Sequence, residues 1–236
     1  NIILKEKIPP IFREIMSISK NVRILKKNQL IPFKKIGVIG LGLIGGSIIK
    51  AIKTKTSDVA IFSLKRNSLD NKLALNEKFI DKELNNLKEM VNTVDLIILS
   101  SPIDTLIPLA KQIKERAELS NKNLIVIDTG STKEKIADAF EKLTDGLIEF
   151  VATHPMAGSE KSGFENSKAT LFINQPWIIT LHKKNSIHAL DMVDSFILSL
   201  GARLEVLNAK EHDQLIAGVS HLPFIIAVLI FVYIIH

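Results

Sequence analysis

Residues 36–47 read IGVIGLGLIGGS. A β-branched run, Ile36, Val38 and Ile39, leads into Gly40-Leu41-Gly42-Leu43-Ile44-Gly45, and an apolar helical pattern follows at once. The spacing is GxGxxG in the strand–turn–helix context that a dinucleotide site requires. In that context Gly40 makes the tight turn, Gly42 lets a pyrophosphate approach the backbone, and Gly45 lets helix pack closely on strand. The helix N-terminus adds unpaired N–H groups and the positive end of a dipole. A flexible glycine turn is the competing reading of the same six residues, and the flanking strand and helix favour the nucleotide.

Moving outward, the helix is expected from Leu43 to about Lys53, and a second strand over Val59–Leu64. In a dinucleotide fold the end of that strand carries the carboxylate that holds the ribose of NAD. Here it reads Ser63-Leu64-Lys65-Arg66-Asn67, with two cations and no acid. Charge complementarity to a 2′-phosphate therefore favours NADP over NAD at Lys65 and Arg66; a solvated lysine-rich loop is the alternative.

The alternation continues. Val94–Ser100, Leu124–Asp128 and Ile148–Ala152 are short, predominantly apolar strand patterns of the kind a parallel sheet buries on both faces. Ile103–Arg116 and Lys133–Leu143 between them read as helices. Trp177–Leu181 and Arg203–Leu207 are further strands around a helix at Ile187–Leu200, so mixed edge strands are expected. The fold class is α/β, a Rossmann-type doubly wound, mainly parallel sheet, with helical material beginning near Asn208.

Ligands of such sheets bind beyond the carboxyl ends of the strands. That rule places Ser101 and Pro102 beside a cofactor and selects two loops, Asp128–Lys133 (DTGSTK) and His154–Glu160 (HPMAGSE). Taken alone, Ser131 reads as a helix N-cap, and His154 as a turn histidine set by Pro155. Together they bring one hydroxyl and one imidazole to the same edge of the sheet. Ser131 and His154 are the candidate catalytic pair.

Composition narrows the field. The 236 residues are 46% hydrophobic, enough to bury a sizeable core. The absence of cysteine excludes disulfides, thiolate metal sites and thiol nucleophiles, and no metal site is expected. The net charge of +6 comes mainly from scattered lysines without an aromatic-studded basic stripe, which argues against nucleic acid. The chain starts at Asn1 and finishes in an uncharged run, Leu222–Ile235. That run is shorter than the ~20 residues that span a bilayer, so a buried helix is expected rather than a membrane anchor. Ile8–Leu30 has helical spacing after two prolines.

Four blocks, GLGLIGGS (40–47), DTGSTK (128–133), HPMAGSEKSG (154–163) and HDQLIAGVSHLP (212–223), resemble in sequence and order the prephenate/arogenate dehydrogenase family of tyrosine biosynthesis. The resemblance implies oxidative decarboxylation of prephenate or arogenate with NADP or NAD. It assigns His154 as acceptor of the substrate's 4-hydroxyl proton, and Ser131 as the residue that holds hydroxyl and imidazole in register. It places Ser220 and His221 against the substrate. Phe224 stands where the family often has histidine, which leaves the choice of substrate open. By the same resemblance, residues 1–33 form an N-terminal helix and linker, 34–207 the dinucleotide-binding domain, and 208–236 the start of an all-helical C-terminal dimerisation domain. A homodimer and a cytoplasmic location are implied. IFREIMSISKN (11–21) resembles the end of the last helix of fused chorismate mutases. Two alternatives stay open. One is a catalytically impaired nucleotide-binding remnant. The other is a β-hydroxyacid-type Rossmann dehydrogenase, which needs a lysine on the second domain, where only Lys210 is available.

Overall fold

The computed structural model describes residues 30–65 and 68–218. The expected N-terminal helix with its mutase-like segment, Arg66, and Ser220, His221, Phe224 and the apolar run lie outside the described residues. Eight strands form one sheet in the order β3-β2-β1-β4-β5-β6-β7-β8. They are β1 (Lys35–Ile39), β2 (Ala60–Leu64), β3 (Lys82–Leu84), β4 (Leu96–Leu99), β5 (Leu124–Asp128), β6 (Ile148–Pro155), β7 (Pro176–Thr180) and β8 (Arg203–Leu207). All neighbouring pairs are parallel except β6–β7, which is antiparallel.

The period-2 alternation of strand side chains divides the central strands between two apolar layers. Ile36, Val38, Leu96, Ile98, Ile125, Ile127 and Val151 pack on one face. Ile39, Ile97, Leu99, Val126, Ile148 and Phe150 pack on the other. Both faces are covered, so the strands read as unbroken apolar runs. The first layer is completed by helices α1 (Leu43–Lys55) and, beyond it in the chain, α6 (Ile187–Ser199). The second is completed by α3 (Leu87–Thr93), α4 (Ile103–Ser120) and α5 (Glu134–Leu143).

Residues 65–93 hold more structure than their sequence suggested: α2 (Leu69–Asn76), the edge strand β3 and α3. Each is short, and α2 and α3 are started by local caps, the side chains of Ser68 and Asn86 accepting from Asn71 N and Glu89 N. The last described helix, α7 (Ala209–Ile216), begins at Asn208, whose side chain accepts from Glu211 N at 2.8 Å.

Strand β6 outruns its neighbour. Its first half pairs with β5 and its second half, Ala152 to Pro155, pairs only with β7. This projects His154 past the end of β5, at the carboxyl edge of the sheet.

Candidate active site

The glycine turn is built as tightly as the backbone allows. Gly40 has φ of +100°, and a Cβ there would lie 2.3 Å from the Ser100 carbonyl oxygen. A Cβ on Gly45 would lie 2.0 Å from the Gly40 carbonyl oxygen. Gly42 differs: nothing lies within 4 Å of its Cβ position. It is the N-cap of α1, with no side-chain cap and no acid in the first turn. The first N–H groups of the helix therefore have no intrahelical or capping acceptor, and the space before them suits an anionic phosphate.

That space is a cavity of about 420 Å³ between the ends of β1, β2 and β4. Gly40, Leu41, Gly42, Ser101 and Pro102 line it, whereas Leu43, Ile44 and Gly45 stand behind in the turn and helix. At its far end are Ser63, Ser68 and Asp70. Asp70 is a carboxylate that the strand-end reading missed, because it comes from the first turn of α2 rather than from β2. Its Oδ1 accepts from Phe164 N at 2.7 Å. Lys65 is exposed, its backbone N–H donating to the Leu84 carbonyl.

The loop that follows β6 returns over this crevice. Lys50 Nζ donates to the carbonyls of Phe164 (3.4 Å) and Ser167 (3.2 Å) and sits 4.3 Å from the Phe164 ring centroid. Ser162 and Gly163 thereby become part of the cavity wall.

From the crevice to His154 the strand ends are joined stepwise. Thr129 Oγ1 donates to Ser100 Oγ at 3.2 Å. Asp128, at the end of β5, accepts from Gly130 N (2.8 Å) and Thr153 N (3.0 Å), and its carboxylate pairs with Lys133 Nζ. Both charged side chains of this pair are wholly buried. The half-buried His154 ring lies above, its Nδ1 2.9 Å from Nε2 of His212, and Nδ1 of His212 lies 2.7 Å from Asp213 Oδ1. Burial, then the Lys133 ammonium and His212, push the His154 pKa down to about 3, against the pull of Asp213. Burial also lowers His212, opposed by Asp213. His154 is therefore a neutral base at physiological pH.

Ser131 is exposed and makes no hydrogen bond to His154 among the described residues. Nor does it cap the helix. The N-cap is Lys133, without a side-chain cap, and the Asp213 carboxylate does the work from α7, accepting from Lys133 N (2.7 Å) and Glu134 N (2.9 Å). A cap supplied across the fold makes a local serine unnecessary. Lys210 is exposed, and among the described residues the buried lysine of the site is Lys133. His212, Asp213, Lys133 and Asp128 are the site residues that sequence reading did not assign. The first two lie in the HD pair opening the fourth block, and their only signal was that adjacency.

Residues 48–206 match the family model described as "Prephenate dehydrogenase, nucleotide-binding domain". The chain is 36% identical over 196 residues to prephenate dehydrogenase of Lactococcus lactis, covering 82% of this chain and 52% of the relative. It is 31% identical over 198 residues to cyclohexadienyl dehydrogenase of Zymomonas mobilis, covering 83% and 65%. Among solved structures, prephenate dehydrogenase from Aquifex aeolicus in complex with hydroxyphenyl propionate and NAD+ superposes with a TM-score of 0.78 at 29% identity, covering 86% of this chain and 70% of that one. The chain spans about half the length of the Lactococcus relative. With a phosphate-ready glycine turn, a crevice at the sheet's reversal point and a matching nucleotide-binding domain, the chain belongs to the prephenate dehydrogenase family.

Proposed function

We propose that this chain binds NAD(P) and supplies the base for oxidative decarboxylation of prephenate or arogenate. The observation that carries the reading is a neutral, half-buried His154 held by His212 at the carboxyl edge of the sheet whose crevice is lined by the glycine turn. The names of the relatives support it: prephenate and cyclohexadienyl dehydrogenases, and an Aquifex structure with a phenolic ligand and NAD+. A solved arogenate dehydrogenase from Synechocystis, with a TM-score of 0.72 at 26% identity, keeps both substrates in play.

When bound, an oxidised nicotinamide supplies the hydride acceptor. His154 takes the proton of the substrate's 4-hydroxyl as the carbon–hydrogen bond beneath it breaks, leaving a ring ketone. Loss of the ring carboxylate as carbon dioxide then returns its bonding pair to the ring, which becomes a phenolate and takes a proton back to end as a phenol. Aromatisation drives this second stage, so the protein's task is mainly to orient hydroxyl, imidazole and cofactor. Ser131 is proposed to meet the hydroxyl when substrate is present, and Ser220 and His221 to contact the substrate. Exposed Lys65, with Arg66 beside it in sequence, supports a preference for NADP. Helical material from Asn208 onward is proposed to continue into a dimer-forming domain, and a cytoplasmic location is proposed with it.

The test is formation of reduced nicotinamide by the full chain with prephenate or arogenate, each offered with NAD+ and with NADP+. Turnover in at least one combination is expected. A folded chain that binds dinucleotide yet turns over neither substrate overturns the assignment.

A further inference from the structure

Asp213 accepts two backbone N–H groups and lies 2.7 Å from Nδ1 of His212. Although burial pushes its carboxyl up, the hydrogen bonds from Glu134 N, His212 and Lys133 N hold it below the usual carboxylate range. An ionised carboxylate has no proton to give, so His212 must donate from Nδ1. A neutral His212 then presents a lone pair at Nε2, and His154, 2.9 Å away, must donate from its own Nδ1. That leaves Nε2 of His154 bare. His212 is fully buried and His154 half-buried, so bulk water does not compete for the inner nitrogens.

Resting on the functional reading above, we infer that His212 and Asp213 are positioning residues that lock His154 into the tautomer with a basic Nε2 and form the exit for its proton. As the substrate O–H breaks, its proton bonds to His154 Nε2. The His154 Nδ1 proton can pass to His212 Nε2, and the resulting imidazolium is paired with Asp213. No electrons move in the relay, and charge is conserved. The charge that leaves the substrate oxygen comes to rest beside a carboxylate. Other charged groups facing the pair are Lys133, from the turn before α5, which opposes protonation of both rings, and its ion-pair partner Asp128, from the end of β5, which favours protonation of His212.

The experiment begins with the full wild-type chain, without substrate. Histidine-selective ¹⁵N labelling and long-range ¹H–¹⁵N correlation report which nitrogen of each ring carries hydrogen. Both His154 and His212 are expected as neutral Nδ1–H rings at pH 7; an Nε2–H tautomer at His154 overturns the inference with no variant needed. In Asp213→Asn the His154 ring is expected to shift toward Nε2–H. There kcat falls on the order of 10²-fold, dinucleotide affinity stays within twofold, and the acid limb of the kcat/KM profile moves to lower pH, because the protonated ring has lost its distant carboxylate. His212→Gln gives the same loss without touching the α5 cap. A loss of kcat with an unmoved acid limb and unmoved tautomer indicates a merely structural role and overturns the inference. Correct tautomers in a chain with no turnover on either substrate strike the functional reading instead, and leave the positioning role standing.

Discussion

The ammonium of Lys133 lies against the carboxylate of Asp128 with both side chains wholly buried. Two backbone donors, Gly130 N and Thr153 N, complete the carboxylate's shell and tie the end of β5 to β6 below His154. Removing one member of such a pair leaves an uncompensated charge in the interior. Lys133→Met is expected to cost about 3–5 kcal/mol of stability, read as a lower urea midpoint. Adding Asp128→Asn should recover part of the loss, because the amide still accepts an N–H without carrying charge. A midpoint unchanged in the single variant would refute the interpretation.

The folded chain resists protonation of His154, whose pKa falls from 6.5 to about 3 chiefly through burial. Between those values the unfolded chain binds a proton at this ring and the folded chain does not. Stability therefore rises with pH across that window, is fully present above it, and is lost as pH falls through it. Burial shifts His212 and His182 in the same direction. Denaturant titrations between pH 7 and pH 4 are expected to show a fall of a few kcal/mol, and His154→Gln should make that fall shallower. Equal slopes in the two proteins would count against the burial of a neutral imidazole.

The three glycines of the turn separate fold from binding. A Cβ on Gly45 meets the Gly40 carbonyl, so Gly45→Ala is expected to destabilise by about 1–3 kcal/mol or more. Gly42→Ala meets nothing in the fold. It should melt within a degree or two of wild type while placing a methyl group in the phosphate space, weakening dinucleotide affinity by about tenfold or more, roughly 1.4 kcal/mol. Calorimetric titration beside thermal melts distinguishes the two. Gly42→Ala binding as tightly as wild type would move the phosphates elsewhere.

Cofactor choice is to be read beyond β2, where Asp70 lines the far end of the crevice and exposed Lys65, outside its lining, follows the strand end. Lys65→Ala is expected to weaken NADP+ binding about tenfold and leave NAD+ unaffected, measured by direct titration of each. NADP+ affinity that does not fall in Lys65→Ala would remove the cation from the site and leave the ribose to Asp70.

The parallel sheet and its glycine turn were legible because both are local properties of the chain. Apolar runs such as Leu124–Asp128 show burial on both faces, and the glycine spacing reports a backbone path that side chains cannot follow. The elements that escaped, α2, β3 and α3, are short and polar on one side, so their periodicity is too brief to register. Asp70 escaped because a strand-end rule looks to β2, whereas the carboxylate enters from the next helix.

His154 was found because strand geometry alone carries it to the carboxyl edge. Its partners were not, because His212 lies 58 positions further on and Asp213 reaches back 80 positions to cap α5 at Lys133. The same side chain that displaces Ser131 from its expected cap orients the histidine pair. By itself the sequence determined the central strands, the glycine turn and the place of His154 at the sheet edge, since each follows from neighbours along the chain. The protonation state of His154 was decided only by the tertiary structure: which nitrogen holds hydrogen depends on a carboxylate delivered across the fold and on the burial that keeps water from the inner nitrogens.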